Sequence, residues 1–255
     1  MENLLKTEQE IKAEDVFEEE YLAFKLASLL SSYPEKDFLK NLAEFLENLK
    51  LISFLDEIFD NTWKNLHEKL INLVDNQVLL DEVRSDYIDL FDRVGTANSL
   101  YETEYGKERT ILKTNELADI SAFYKAFGLN LGDNSIKNEM PDHVSVEFEF
   151  YAFLLLKQDF LNTKKDDEGI DIVFSARKKF MEAHLGRFVI SICESEGVAN
   201  NTYFSTLYKF LSELIEYECS NLEIKPEKAF WLSSQAETDN FKCAELGCNL
   251  AGKAN

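Results

Sequence analysis

Proline and glycine are scarce in this chain, at 3 and 9 of 255 residues. Both residues punctuate turns and interrupt helices, so their scarcity argues against a loop-rich or β-rich fold and for long helices. Four cysteines do not make a disulfide framework, which fits a reducing compartment. The three histidines, His67, His143 and His184, are scattered and support no His-rich metal site. The residues three places before them are Lys64, Met140 and Met181, so the paired ExxH of carboxylate-bridged di-iron bundles is missing. His67-Glu68 begins like HExxH, but Ile71 stands where the second ligand would be. No GxGxxG or GxxxxGK[ST] offers a phosphate cradle, and no GxSxG supplies a nucleophile for a hydrolase built on His143 and Asp142. No cofactor or metal is expected on this chain, and it is not expected to be an enzyme.

Long apolar runs and positive charge are lacking too. Nothing approaches 18 consecutive apolar residues, so no stable membrane insertion is expected. The acidic opening MENLLKTEQEIKAEDVFEEEY has neither the basic nor the apolar region of a secretory signal, and a cytoplasmic location is expected. With 27 Lys+Arg against 48 Asp+Glu, the net charge is −21. Such a surface repels phosphate backbones, which excludes general nucleic-acid binding, and attracts basic peptides.

What remains is abundant apolar and aromatic material: 45% hydrophobic residues, including 20 Phe and 10 Tyr. That is enough for a sizeable core and argues against disorder. Helical spacing recurs along the chain. Residues 14–32 carry Phe17, Tyr21, Phe24 and Leu29. Pro34 is expected to open a second helix striped by Leu39, Leu42, Phe45, Leu46 and Leu49. Further segments follow at 52–74, 79–93, 107–127, 143–161, about 170–196 and about 201–220. The predicted fold is all-α, a bundle of about nine to twelve helices in two loosely defined lobes. The expected boundaries are an amino-terminal lobe at 1–128, a linker at 129–142 rich in Gly, Asn and Asp, a second lobe at 143–232, and a tail at 233–255. Cys243 and Cys248 lie in that tail as a CxxxxC, too little for a zinc ribbon. Cys193 and Cys219 fall within predicted helices, where a thiol acts mostly as a small hydrophobe.

Three stretches stand out. Tyr87, Leu90 and Phe91 share one helix face by i, i+3, i+4 spacing, as an ordinary core stripe or as the wall of a groove. Tyr101, Glu102 and Tyr105 sit in a glycine-bounded loop, GTANSLYETEYG, where the tyrosines either line a recognition cleft or pin the loop to the core. The third stretch, EMPDHVSVEFEFYAF at 139–153, alternates like a half-buried strand yet begins with a Pro-Asp helix start. A helix apolar on most sides explains the alternation better, with Asp142 as cap and His143 and Glu147 as i, i+4 neighbours. Chemistry alone favours a capping aspartate and a surface His–Glu pair there.

The order of these stretches resembles the TorD/DmsD/NarJ family of dedicated chaperones for molybdenum-containing reductases. The matching residues are Asp86-Tyr87-Ile88-Asp89-Leu90-Phe91, then Tyr101-Glu102-Thr103-Glu104-Tyr105, then Pro141-Asp142-His143-Val144-Ser145-Val146-Glu147-Phe148. Phe180-Met181-Glu182-Ala183-His184-Leu185-Gly186-Arg187-Phe188 is similar to the family's F-x-x-H-L-x-x-W segment, with Phe188 one place late. The family's GPG-like turn is Asp92-Arg93-Val94-Gly95 here, and Leu100 replaces the proline before the loop tyrosine. The resemblance implies a TorD-like, non-enzymatic cytosolic protein, monomeric or homodimeric. Its partner would be the immature catalytic subunit of a molybdenum-dependent reductase and that subunit's twin-arginine signal peptide, held until the molybdopterin guanine dinucleotide cofactor is inserted. Tyr87, Leu90, Phe91, Tyr101 and Tyr105 would then line an apolar groove. Glu102, Asp142 and Glu147 would offer carboxylates to paired arginines, with His143 orienting them or contacting the client directly. An all-α adaptor for a basic or amphipathic partner, without a molybdoenzyme client, is the alternative.

Overall fold

A computed structural model describes residues 18–93, 98–105, 112–129 and 139–230. The tail with Cys243 and Cys248, most of the 129–142 linker and the outer parts of the glycine-bounded loop lie outside the described residues. The described elements are helices: α1 (18–30), α2 (Phe38–Leu46), α3 (Leu49–Val74), α4 (Gln77–Tyr87), α5 (Leu112–Ala126), α6 (Val144–Lys164), α7 (Asp167–Phe180), α8 (Gly186–Cys193), α9 (Glu196–Asn200) and α10 (Thr202–Asn221). Single π-helical turns extend α4 over Ile88–Asp92 and join α7 to α8 over Met181–Leu185. No strand occurs among the described residues, and the all-α prediction holds.

Side chains set the helix boundaries. Asn48, Asn76, Asp166 and Asn201 each precede a helix and accept backbone N–H bonds of 3.0, 3.1, 3.0 and 2.9–3.0 Å, satisfying donors that have no partner inside the helix. Two expectations need correction. Pro34 does not open a helix; α2 begins four residues later, at Phe38. Leu49 does not continue the α2 stripe, because Asn48 caps a new helix there and leaves Leu49 82% exposed. The expected helix at 170–196 is likewise divided by the π turn.

The core is continuous from α1 to α10. α10 lies against α3, with Phe210 edge-on to Phe59 and Tyr217 edge-on to both Phe54 and Phe59. α3 is kinked at Asp60, where φ is +32, and Trp63 beyond the kink still packs on Phe210. α6 is the central helix. Val144 to Phe148 are all buried, so this first turn is enclosed on every side, and the alternation in its sequence carries no strand meaning. Its rings meet Phe24 of α1 and Tyr124 of α5, with centroids 4.6 Å apart for Tyr151–Phe24 and 4.5 Å for Phe150–Tyr124.

One polar network crosses this core. Arg177 of α7 pairs with Glu218 of α10, donates to Gln158 at 2.8 Å and reaches the Tyr151 hydroxyl at 3.3 Å. Glu20 of α1 faces the same pair while accepting from Tyr217 at 3.1 Å and Asn221 at 3.4 Å. Arg177 pairs with Glu218 and pulls on Glu20 only through its charge. Burial first, then the Glu218 charge, pushes the Glu20 carboxyl up to about 7.

Candidate functional site

Residues from all four resembling segments meet where the short loop 98–105 crosses the amino end of α6. The loop folds over a 3-10 turn, Glu102–Glu104. It pairs with the α6 entry in one antiparallel bridge, Tyr101 against His143. The Glu102 N–H donates to the Asp142 carbonyl at 2.9 Å, and the Val144 N–H donates to the Leu100 carbonyl at 2.8 Å. Tyr105 fixes the base of the loop, its hydroxyl donating to the Ser99 carbonyl at 2.7 Å.

Side chains tighten the crossing. The Thr103 hydroxyl donates to Asp142 Oδ2 at 2.6 Å, and the Tyr124 hydroxyl of α5 donates to the Pro141 carbonyl at 2.7 Å. Asp142 is thus turned towards the loop, and it is not the helix cap. His143 is the cap: its Nδ1 accepts the Ser145 N–H at 3.2 Å and lies 2.8 Å from the Ser145 hydroxyl, while Nε2 is 3.4 Å from the Tyr87 hydroxyl. The expected surface pair of His143 and Glu147 is not formed. Both are buried, and Glu147 is set against Glu102 instead.

Glu102, itself 4% exposed, enters from the loop and meets two basic groups on the far side. His184 Nδ1 lies 3.0 Å from one carboxylate oxygen and Arg187 3.9 Å from the other. Glu147 faces Glu102 from α6, with no ion pair to a cation among the described residues. Burial above all, with the charges of Glu102 and Asp142 added, raises its carboxyl well above the ordinary carboxylate range. Tyr124, buried beside the same carboxylates, is raised as well, chiefly by burial.

The residues expected to line an apolar groove divide into two groups. Tyr87 and Phe91 lie in the core, T-shaped to each other at 5.4 Å and packed on Phe204 of α10. Tyr105 is also buried, against Phe188 at 5.6 Å. Leu90 and Tyr101 are half-buried and reach the rim. The Tyr101 hydroxyl donates to Glu139 at 3.3 Å, and Glu139 edges a cavity of about 380 Å³ that Leu29, Tyr33, Glu35, Asp37 and Phe38 help to line. The three carboxylates expected to face arginines, Glu102, Asp142 and Glu147, are enclosed in this conformation; the acidic groups at the surface are Glu139, Glu35 and Asp37.

Thr103, Tyr124, His184 and Arg187 belong to the site although spacing arguments did not single them out. The signal for His184 and Arg187 was present in the resembling segment 180–188; only the fold brings it to residue 102. Among the described residues no cluster of metal-ligating side chains occurs and no helix is long and apolar enough to cross a membrane.

Comparison with known proteins gives the same grouping. A family model described as the nitrate reductase delta subunit matches residues 53–194, more than half of the chain and all four segments above. The chlorate reductase assembly chaperone protein of Ideonella dechloratans is 27% identical over 187 residues, which cover 72% of this chain and 91% of that protein. The selenate reductase assembly chaperone protein of Thauera selenatis is 26% identical over 163 residues, covering 63% and 79% respectively.

Proposed function

The chain belongs to the nitrate reductase delta subunit family, a group of non-enzymatic chaperones of the TorD/DmsD/NarJ type, and from that premise we propose that it is a cytoplasmic assembly chaperone for the catalytic subunit of a molybdenum-dependent reductase. It binds the immature subunit and its twin-arginine signal peptide, and holds both until the cofactor is inserted. The observation that carries this reading is the crossing of loop 98–105 on α6. Segments 40 residues apart, which mean little separately, form one interlocked unit there, with an acidic, tyrosine-edged cavity at its rim.

The physical roles follow from placement. Tyr87 and Phe91 make the floor beneath the loop, Tyr105 ties the loop's base to it, and Leu90 and Tyr101 offer apolar edges to the hydrophobic segment of the peptide. Asp142, His143, Glu102 and Glu147 hold loop and helix in register. The arginine pair is met first by the surface carboxylates Glu139, Glu35 and Asp37, with paired N–H donors matching each carboxylate. A net charge of −21 steers a basic peptide toward this surface over a distance of about a Debye length, roughly 8–10 Å at physiological salt.

Calorimetry with the full chain tests the reading. A peptide carrying two arginines followed by an apolar run is expected to bind at least about tenfold more tightly than the same peptide with both arginines replaced by alanine, since each charge-assisted hydrogen bond contributes about 1.5–3 kcal/mol. Equal affinities for the two peptides would remove the electrostatic part of the proposal. Absence of binding by the cofactor-free reductase subunit would remove the rest.

A further inference from the structure

Three carboxyl groups converge under the loop: Glu102 from the loop, Asp142 from the turn before α6, and Glu147 from α6 itself. Each of the first two is compensated. Glu102 has His184 at 3.0 Å and Arg187 at 3.9 Å, and Asp142 has the Thr103 hydroxyl at 2.6 Å. Glu147 is 0% exposed, and the polar side chain set against it is the Glu102 carboxylate. Tyr124 faces it from α5, and His143 stands one turn earlier on the path into α6; Glu116 of α5 adds a further acidic charge beside Glu102 and Arg187. Among the described residues no lysine or arginine forms an ion pair with Glu147.

We propose that Glu147 and Glu102 form a latch that holds loop 98–105 down on α6 while Glu147 carries its proton, and that frees the loop when that proton passes to solvent. A charged Glu147 would place a further anion against Glu102 and Asp142 in a buried site, and an unpaired buried charge is far more costly than a neutral acid. Relief comes from the loop: α6 is buried along its first eleven residues apart from Glu149 and Phe153, whereas the loop is eight residues tied to the α6 entry by two backbone hydrogen bonds and a few side chains, although Leu100, Glu102, Thr103 and Tyr105 are buried while it is closed. Lifting the loop removes Glu102 and lets water reach Glu147, which then ionises in its ordinary range. The sign follows: the proton favours the closed loop, and opening becomes easier as pH rises above the ordinary carboxylate range, until Glu147 ionises in the closed form. The loop carries Tyr101 of the client site, so use of the latch in client capture rests on the reading above; the latch itself does not.

Hydrogen exchange on the full chain, without client and corrected for intrinsic exchange chemistry, reads the latch directly at the Glu102 and Val144 amides. Between about pH 5.5 and about pH 8 the opening constant of the wild type is expected to rise by up to about tenfold per pH unit. Glu147→Gln, which keeps the shape of the neutral acid, is expected to give a flat profile. A flat wild-type profile, or the same slope in both proteins, overturns the proposal. If Glu147→Gln does not fold, infrared difference spectroscopy of the Glu20→Gln variant, which lacks the other carboxyl that holds its proton up to about pH 7, decides. A protonated-carboxyl carbonyl band that disappears with loop protection supports the latch, and its absence at about pH 6 overturns it. A twin-arginine peptide that fails to bind would remove the client reading and leave the exchange result standing.

Discussion

Replacing Glu20 by glutamine is expected to stabilise this protein, and only above the acid range. Glu20 is 6% exposed on α1 and lies in the field of the Arg177–Glu218 pair. Its carboxyl is pushed from 4.5 to about 7, by burial first and by the Glu218 charge second, against the opposing pull of Arg177 and Tyr217. The folded protein therefore holds this proton more tightly than the unfolded chain. The stability so contributed is complete below about pH 4.5, declines as pH rises to about 7, and stays lost above that. At about 1.4 kcal/mol per pH unit the whole span amounts to about 3 kcal/mol, and relaxation of a partly hydrated site brings a realistic figure to about 2–3 kcal/mol. Glutamine keeps an acceptor for Tyr217 and Asn221 and brings no charge to repel Glu218. The assay is urea denaturation of wild type and Glu20→Gln at several pH values. Near-equal stability at about pH 4.5 and a gain of about 2–3 kcal/mol at about pH 8 are expected, or a thermal shift of about 5–10 °C for a chain of this size. A variant less stable than wild type at pH 8, or one that retains the wild-type pH dependence, would refute the account of Glu20 in the field of the Arg177–Glu218 pair.

Further expectations concern the same core and the site. Arg177→Met leaves Glu218, 0% exposed, without its cation and is expected to lose about 3–5 kcal/mol, with Arg177→Met/Glu218→Gln recovering much of it in denaturation experiments. Gly186→Ala would set a Cβ 2.5 Å from the Met181 carbonyl oxygen and 2.8 Å from Pro226 Cγ. A loss of about 1–3 kcal/mol and weakened protection of the Ala229 amide, which bonds the Arg187 carbonyl at 2.9 Å, should follow. Asp142→Ala removes the acceptor of the Thr103 hydroxyl; it is expected to cost about 1–3 kcal/mol and to speed exchange at Glu102 with helix content unchanged by circular dichroism.

Motif order alone identified the family resemblance, and composition and apolar spacing were sufficient for the fold class. Four boundary side chains, Asn48, Asn76, Asp166 and Asn201, end in local hydrogen bonds, which is why helix starts can be read from sequence at all. The first turn of α6 misled by period because it is enclosed on all sides, so no polar face marks its phase. The cap fell on His143 where Asp142 was expected, since Thr103, 39 residues away, claims the aspartate. His184 showed a similar gap: it lies 82 residues from Glu102, and no local rule measures that distance.

Helix content, charge and the presence of a tyrosine-rich loop before a Pro-Asp-His start were thus determined by the chain itself, because each depends on neighbours within a few residues. Whether those side chains face solvent or one another depended on which helices the core drew together. A carboxylate at helical spacing reads the same in either place, and only tertiary packing decided that Glu102, Asp142 and Glu147 meet inside the protein, with His184 and Arg187 beside Glu102.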